Sequence, residues 1–153
     1  MLSFKRNKMS KVIAIGGDHA GFEYKKRLID ILSEQGYEVK DFGPGSDASV
    51  DYPDYVHPLC DVIEGGQADQ GIVICGSGNG VAITANKHQG IRAALCWNEE
   101  LAALSRQHNN ANVLAIPARF VSFELAEKMV KSFLDTDFEG GRHQARVNKI
   151  ACS

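Results

Sequence analysis

Cysteine is scarce in this chain, with 4 in 153 residues: Cys60, Cys75, Cys96 and Cys152. None forms a C-x-x-C pair and none has histidine at zinc-finger spacing, so neither a disulfide scaffold nor a structural metal module is expected. A reducing, cytoplasmic location fits this usage. Excess charge of one sign is also lacking. Lys and Arg number 17 against 19 Asp and Glu, a net charge of −2, which leaves no global cationic field for nucleic acid or an anionic membrane. The longest uncharged stretch, Gln70 to Asn86 around the run Gly71 to Ala85, holds four glycines and falls short of the roughly 18 residues a membrane helix needs. Residues 1–10 contain no apolar signal core. They are expected to be a flexible leader, with 11–153 as one domain.

What is present is ordinary globular composition, 44% hydrophobic and 24% charged, arranged in a repeating rhythm. Lys11 to Ile15 is a β-branched run closed by Gly16-Gly17, which predicts a buried strand and then a turn. Phe22, Leu28, Ile29, Ile31 and Leu32 predict an amphipathic helix that stops at Gly36. Tyr37–Asp41 reads as a second strand, and Phe42–Pro53 as a loop longer than most connections in compact domains. Asp54–Glu64 reads as helix. Gly71–Cys75 is a continuous apolar run, the pattern of a parallel strand covered on both faces. Val81–Lys87 (helix), Ile91–Cys96 (strand), Glu99–His108 (helix), Asn112–Ile116 (strand) and a helix to Leu134 N-capped by Ser122 continue the alternation, while Glu139 to Ile150 adds no strand. The pattern predicts an α/β fold: a single-domain, Rossmann-like three-layer αβα sandwich around a five-stranded parallel sheet. Ligands of such sheets lie beyond the carboxyl ends of the strands.

Four constellations could carry chemistry. Asp18-His19 places a carboxylate and an imidazole past the first strand, although Asp18 also suits a helix cap and His19 an exposed first turn. Cys75-Gly76-Ser77-Gly78-Asn79-Gly80 closes an apolar strand with alternating glycines before a helix. That spacing suits an anion-binding nest whose positive end would favour a reactive thiolate, against the simpler reading of a buried, inert cysteine. Arg106 to Asn112 carries His108 among asparagines that suit a left-handed helix exit, Asn110 and Asn112 in particular. Arg142 and Arg146, four apart, share one helical face and could grip a phosphate or simply line a solvated basic helix, with Arg119 as a third cation.

Familiar phosphate motifs do not fit. Gly80-Val81-Ala82 stands where a Walker loop needs Gly-Lys-Ser/Thr. Val81 also occupies the place of a cysteine phosphatase's arginine and of a dinucleotide fingerprint's third glycine.

Taken together, Gly17-Asp18-His19-Ala20-Gly21-Phe22, Asp51-Tyr52-Pro53, Ile74-Cys75-Gly76-Ser77-Gly78, Ala85-Asn86-Lys87, Gly90-Ile91-Arg92-Ala93, Ser105-Arg106-Gln107-His108-Asn109 and Glu139-Gly140-Gly141-Arg142-His143-Gln144 resemble the ribose-5-phosphate isomerase B family, which includes the galactose-6-phosphate isomerase subunits. The motifs run in family order from about Lys11 to Ile150. The resemblance implies interconversion of ribose 5-phosphate and ribulose 5-phosphate through an enediolate. Allose 6-phosphate or galactose 6-phosphate is the alternative substrate, and a non-catalytic phosphosugar sensor the rival from another class.

By the same resemblance, Cys75 is the base and Ser77, in place of the family's usual threonine, neighbours the reacting carbons. Backbone groups of Gly76, Gly78, Asn79 and Gly80 would hold the oxyanion. His108 would open the sugar ring, Asp18 would act at the sugar end, Asn109 would contact hydroxyls and Tyr52 would line the pocket. His19, Arg119, Arg142 and Arg146 match phosphate positions. A second branch of the family uses a downstream glutamate as base, but Val81 stands there in this chain. The resemblance also implies a homodimer with shared sites, with His108, Asn109 and Arg119 serving a cysteine of the other chain; a tetramer is left open. Proton transfer of this kind needs no metal or nicotinamide.

Overall fold

The computed structural model describes residues 11–152, so the expected leader lies outside the described residues. The sheet consists of β1 (Val12–Gly17), β2 (Glu38–Asp41), β3 (Gln70–Cys75), β4 (Ala93–Leu95) and β5 (Val113–Pro117), alternating with α1 (Phe22–Glu34), α2 (Pro53–Glu64), α3 (Asn79–Ala85), α4 (Glu99–Asn109), α5 (Phe123–Asp135) and α6 (Arg142–Val147). All ladders are parallel, in the order β2-β1-β3-β5-β4. This is the expected three-layer sandwich. No described helix is long and apolar enough to cross a membrane.

Two cores follow from strand alternation, which sends successive side chains to opposite faces. Ile13, Ile15, Ile72, Ile74, Leu114 and Ile116 pack with α1, α4 and α5 on one face. Ala14, Val73, Val113 and Ala115 pack with α2 and α3 on the other. β1, β3 and β5 are buried over nearly their whole length, as their uninterrupted apolar runs require.

Two boundaries differ from the sequence reading for a physical reason. Gly16 and Gly17 continue β1 instead of turning, and Gly17 pairs with Ile74. A Cβ on Gly17 would lie 1.9 Å from the Ile74 carbonyl oxygen, so only glycine lets the chain stay in the ladder so close to β3. β4 is shorter than Ile91–Cys96 suggests, because it is the last strand in the sheet and pairs only with β5. Asn110 does leave α4 in the left-handed region, at φ 47°. Asn112 does not; its side chain instead accepts from Arg92 N–H at 2.7 Å and donates to the Gly90 carbonyl at 2.9 Å, clipping the approach to β4.

Candidate active site

The chain leaves β1 toward β2 on one side of the sheet and later enters β3 on the other side of β1. The crevice beyond the carboxyl ends of β1 and β3 is therefore the topological switch point, where doubly wound sheets bind ligands. A hollow of about 420 Å³ opens there, lined by Asp18, His19, Tyr52, Cys75, Gly76, Ser77, Gly80, Arg119 and Phe120, with Ala20 between. Its size lies within the roughly 300–1,000 Å³ of small-molecule sites.

Each wall has a local cause. Asp18 is the N-cap of the short 3₁₀ turn His19–Gly21, its carboxylate accepting from Ala20 N–H at 2.9 Å. Cap and pocket wall are thus one residue. Gly21 brings this turn against β3, since a Cβ there would lie 2.6 Å from the Ile74 oxygen. The long loop 42–52 is tethered at its start by Gly17 N–H donating to the Gly43 carbonyl at 3.1 Å. Buried Lys25 binds Asp41 at 2.9 and 3.0 Å and Asp41 accepts from Gly43 N–H, fixing the same point. At the far end of the loop, Val50 N–H donates to His19 Nδ1 at 3.3 Å. When His19 is neutral, its proton must then sit on Nε2, which is left as a donor.

Cys75 ends β3 with only 5% of its surface exposed, yet it lines the hollow. Gly78, at φ 74°, turns the chain so that its N–H donates to Cys75 Sγ across 3.2 Å. That N–H is the contact a negative sulfur accepts, and it is therefore not free for a substrate oxygen. Asn79 N–H is likewise engaged, by Ser77 Oγ at 3.3 Å, and the Asn79 side chain faces a neighbouring hollow beside Ile83. The nest is consequently smaller than the glycine spacing suggests. The N–H groups of Gly76, Ser77 and Gly80 have no acceptor among the described residues. Gly80 must be glycine for Tyr52, whose ring would lie 2.4 Å from a Cβ there.

Arg119 follows β5 and folds back over the cysteine loop. Its backbone N–H donates to the Gly76 carbonyl at 3.0 Å, and its guanidinium would sit 3.0 Å from a Cβ on Gly76. Arg119 therefore shares a hollow with the cysteine of its own chain, which corrects the expectation that it serves the other subunit.

The family profile described as ribose/galactose isomerase matches residues 13–150, nearly all of the chain. The chain belongs to the ribose/galactose isomerase family. It is 48% identical over 140 residues to ribose-5-phosphate isomerase B of Escherichia coli K12, covering 92% of this chain and 94% of that one. A ribose 5-phosphate isomerase structure from Thermotoga maritima superposes with a TM-score of 0.91 at 48% identity, covering 94% and 99% of the two chains. The Mycoplasma genitalium ribose-5-phosphate isomerase B structure with bound ribulose-5-phosphate gives 0.88 at 46% identity, covering 93% and 95%.

The remaining family motifs lie elsewhere in the same chain. His108 and Asn109 end α4, and Asn112 just beyond them accepts from Gly71 N–H through its carbonyl, at the amino end of β3. His108 stacks on His143 with ring centroids 4.3 Å apart, and both lie near Glu139. Arg142 and Arg146 occupy the exposed face of α6, while His143 and Val147 occupy its buried face. None of His108, Asn109, Arg142 and Arg146 lines the Cys75 hollow. Sequence reasoning missed Phe120, a wall residue that is 77% exposed; one aromatic outside any apolar period gives no signal.

Proposed function

We propose that this chain is an aldose-ketose isomerase acting on ribose 5-phosphate and ribulose 5-phosphate, with two copies forming each complete site. The observation that carries the reading is Cys75 Sγ, held by the Gly78 N–H at 3.2 Å in the same hollow as Asp18, Ser77 and Arg119.

The chemistry follows from these groups. The Cys75 thiolate takes the proton from C2 of the open-chain aldose, and the electrons left behind form an enediolate. The thiol returns that proton to C1, while the O2 proton leaves and O1 gains one, giving the ketose. A positioned base contributes about 10²–10⁴ in rate. The free N–H groups of Gly76, Ser77 and Gly80 are placed to hold the developing oxyanion, and the Ser77 hydroxyl stands beside them. Arg119 and the His19 Nε2 donor suit the phosphate, binding energy remote from the reacting carbons that orients the substrate.

Ring opening is assigned to His108, with Asn109 on sugar hydroxyls and Arg142 and Arg146 on the phosphate. These four stand away from their own chain's cysteine, so a symmetric partner must supply them, which is the basis for the homodimer. Two outward-facing guanidinium groups on one short helix suit a phosphate held across such an interface.

Ribose is favoured over a six-carbon substrate because one chain carries the whole residue set. Purified protein is to be assayed with ribose 5-phosphate, allose 6-phosphate and galactose 6-phosphate, with solvent-hydrogen exchange at substrate C2 followed by NMR. Turnover and exchange with the pentose support the reading. Preference for a hexose phosphate moves the substrate, and absence of exchange with all three makes the chain a sensor.

A further inference from the structure

Four side chains that the proposed chemistry does not use converge on the outer face of α2. His57, Asp61 and Glu64 stand at i, i+4 and i+7 of that helix and share one stripe. His88, in the turn after α3, reaches onto it. Its Nδ1 lies 2.9 Å from Glu64 Oε1 and 3.8 Å from Asp61 Oδ1, and its Nε2 lies 2.7 Å from His57 Nδ1. None of the four lines the Cys75 hollow.

We infer that Asp61, Glu64 and His88 form a binding site for a divalent transition-metal cation of the zinc class, with His57 as the group that orients the imidazole ligand. The three ligating atoms lie within 4.8 Å of one another. Ligands around tetrahedral zinc, at bond lengths of about 2.0–2.2 Å, stand about 3.3–3.5 Å apart. The observed 2.9 and 3.8 Å straddle that spacing, so the His88–Glu64 pair must open by about half an ångström and Asp61 must close by a similar amount.

Charge and rigidity favour the same occupant. Two carboxylates balance a dication, and one nitrogen with two oxygens suits a borderline metal. Glu64 Oε2 is pinned by Gly90 N–H at 2.9 Å, which leaves Oε1 for the metal. The His88 side chain is 16% exposed and fixed at both nitrogens, whereas Asp61 is 72% exposed. A coordination position therefore stays open to water.

A ligating imidazole characteristically donates its other N–H to an outer acceptor, which fixes tautomer and orientation. His57 Nδ1 occupies that place. With both rings neutral and no metal bound, the contacts fit His88 Nδ1–H donating to Glu64 and His57 Nδ1–H donating to His88 Nε2. With the cation on Nδ1, the His88 proton is carried on Nε2 and donated to His57 Nδ1, and the His57 proton is carried on its own Nε2. A simple Glu64–His88 pair leaves the convergence of Asp61 and His57 unexplained.

The test uses the full chain stripped with EDTA, titrated with ZnCl2 by calorimetry and with CoCl2 by visible absorption near neutral pH. A single cation per chain at this site is expected, with affinity at least about tenfold weaker in His88→Ala and in Glu64→Gln, and weaker by about tenfold in His57→Phe. Metal-free isomerase turnover of His88→Ala should equal that of the parent. Matching melting curves establish that the variants are folded, and Glu64→Gln serves if His88→Ala is not. His108, Glu139 and His143 also converge within 4.8 Å, so His143→Ala is titrated in parallel. Unchanged affinity in both His88→Ala and Glu64→Gln, a signal lost in His143→Ala but kept in His88→Ala, or no binding at all overturns the inference.

Discussion

Cys75 and His108 sit at opposite ends of the sheet within one chain. β3 and β5 are paired in register from Gly71–Val113 to Cys75–Pro117. Cys75 lies at the carboxyl end of this ladder, and α4 delivers His108 just before its amino end. Four residue steps at about 3.3 Å each already separate the two levels by about 13 Å. A proton-transfer site needing both residues must be assembled from two chains.

Subunit mixing tests this directly. Cys75→Ala and His108→Asn homodimers should each be inactive or nearly so. Random re-association should restore about a quarter of parental activity, because half of the dimers are mixed and each mixed dimer has one intact site. If mixing restores nothing while hybrid dimers are seen by native mass spectrometry, the sites are not shared.

Cys75→Ala alone should lower kcat by about 10³ or more, since the proposed reaction then has no base to take the C2 proton. Substrate affinity by calorimetry should change little, because the phosphate contacts remain. Near-native turnover would remove Cys75 from the base's role.

Glycine substitutions separate fold from site. Gly17→Ala drives a Cβ into the Ile74 carbonyl and should cost about 1–3 kcal/mol, lowering Tm by several degrees. Gly80→Ala instead displaces the Tyr52 ring, so KM should rise with little change in Tm. Gly45→Ala, where a Cβ meets nothing within 4 Å, should leave both measurements unchanged.

Thiol reactivity should split the four cysteines. Burial pushes the Cys60 thiol up to about 12, with Glu64 and Asp61 adding to it, and pushes Cys96 up to about 11. Brief iodoacetamide treatment at mildly alkaline pH, read by peptide mass spectrometry, should label Cys75 and exposed Cys152 but spare Cys60 and Cys96. Ribose 5-phosphate should protect Cys75 alone. Labelling of Cys60 at the rate of Cys152 would contradict its burial.

Cys60 also sets a direction for alkaline stability. Its thiol ionises near the ordinary 9.0 when unfolded but only near 12 when folded, so the folded chain holds the extra proton between those values. The stabilisation is complete below about 9 and is lost as pH rises toward 12. Urea midpoints should be level across neutral pH and fall above 9, and the fall should be shallower in Cys60→Ala.

The alternation of apolar runs with amphipathic stretches determined the five strands and the helices between them, because a strand buried on both faces needs an unbroken run such as Gly71–Cys75. Motif spelling likewise determined the family and placed Asp18, His19 and Cys75 at strand ends. The chain alone did not reveal that Gly17 stays in the ladder, that Gly78 gives its N–H to sulfur, or that Arg119 folds over its own cysteine loop. Each of these depends on what a neighbouring strand presents at that height, and sequence distance carries no record of it. Tertiary structure also decided that His108 and the α6 arginines stand apart from Cys75, since a parallel sheet sends strand ends and the ends of returning helices to opposite poles.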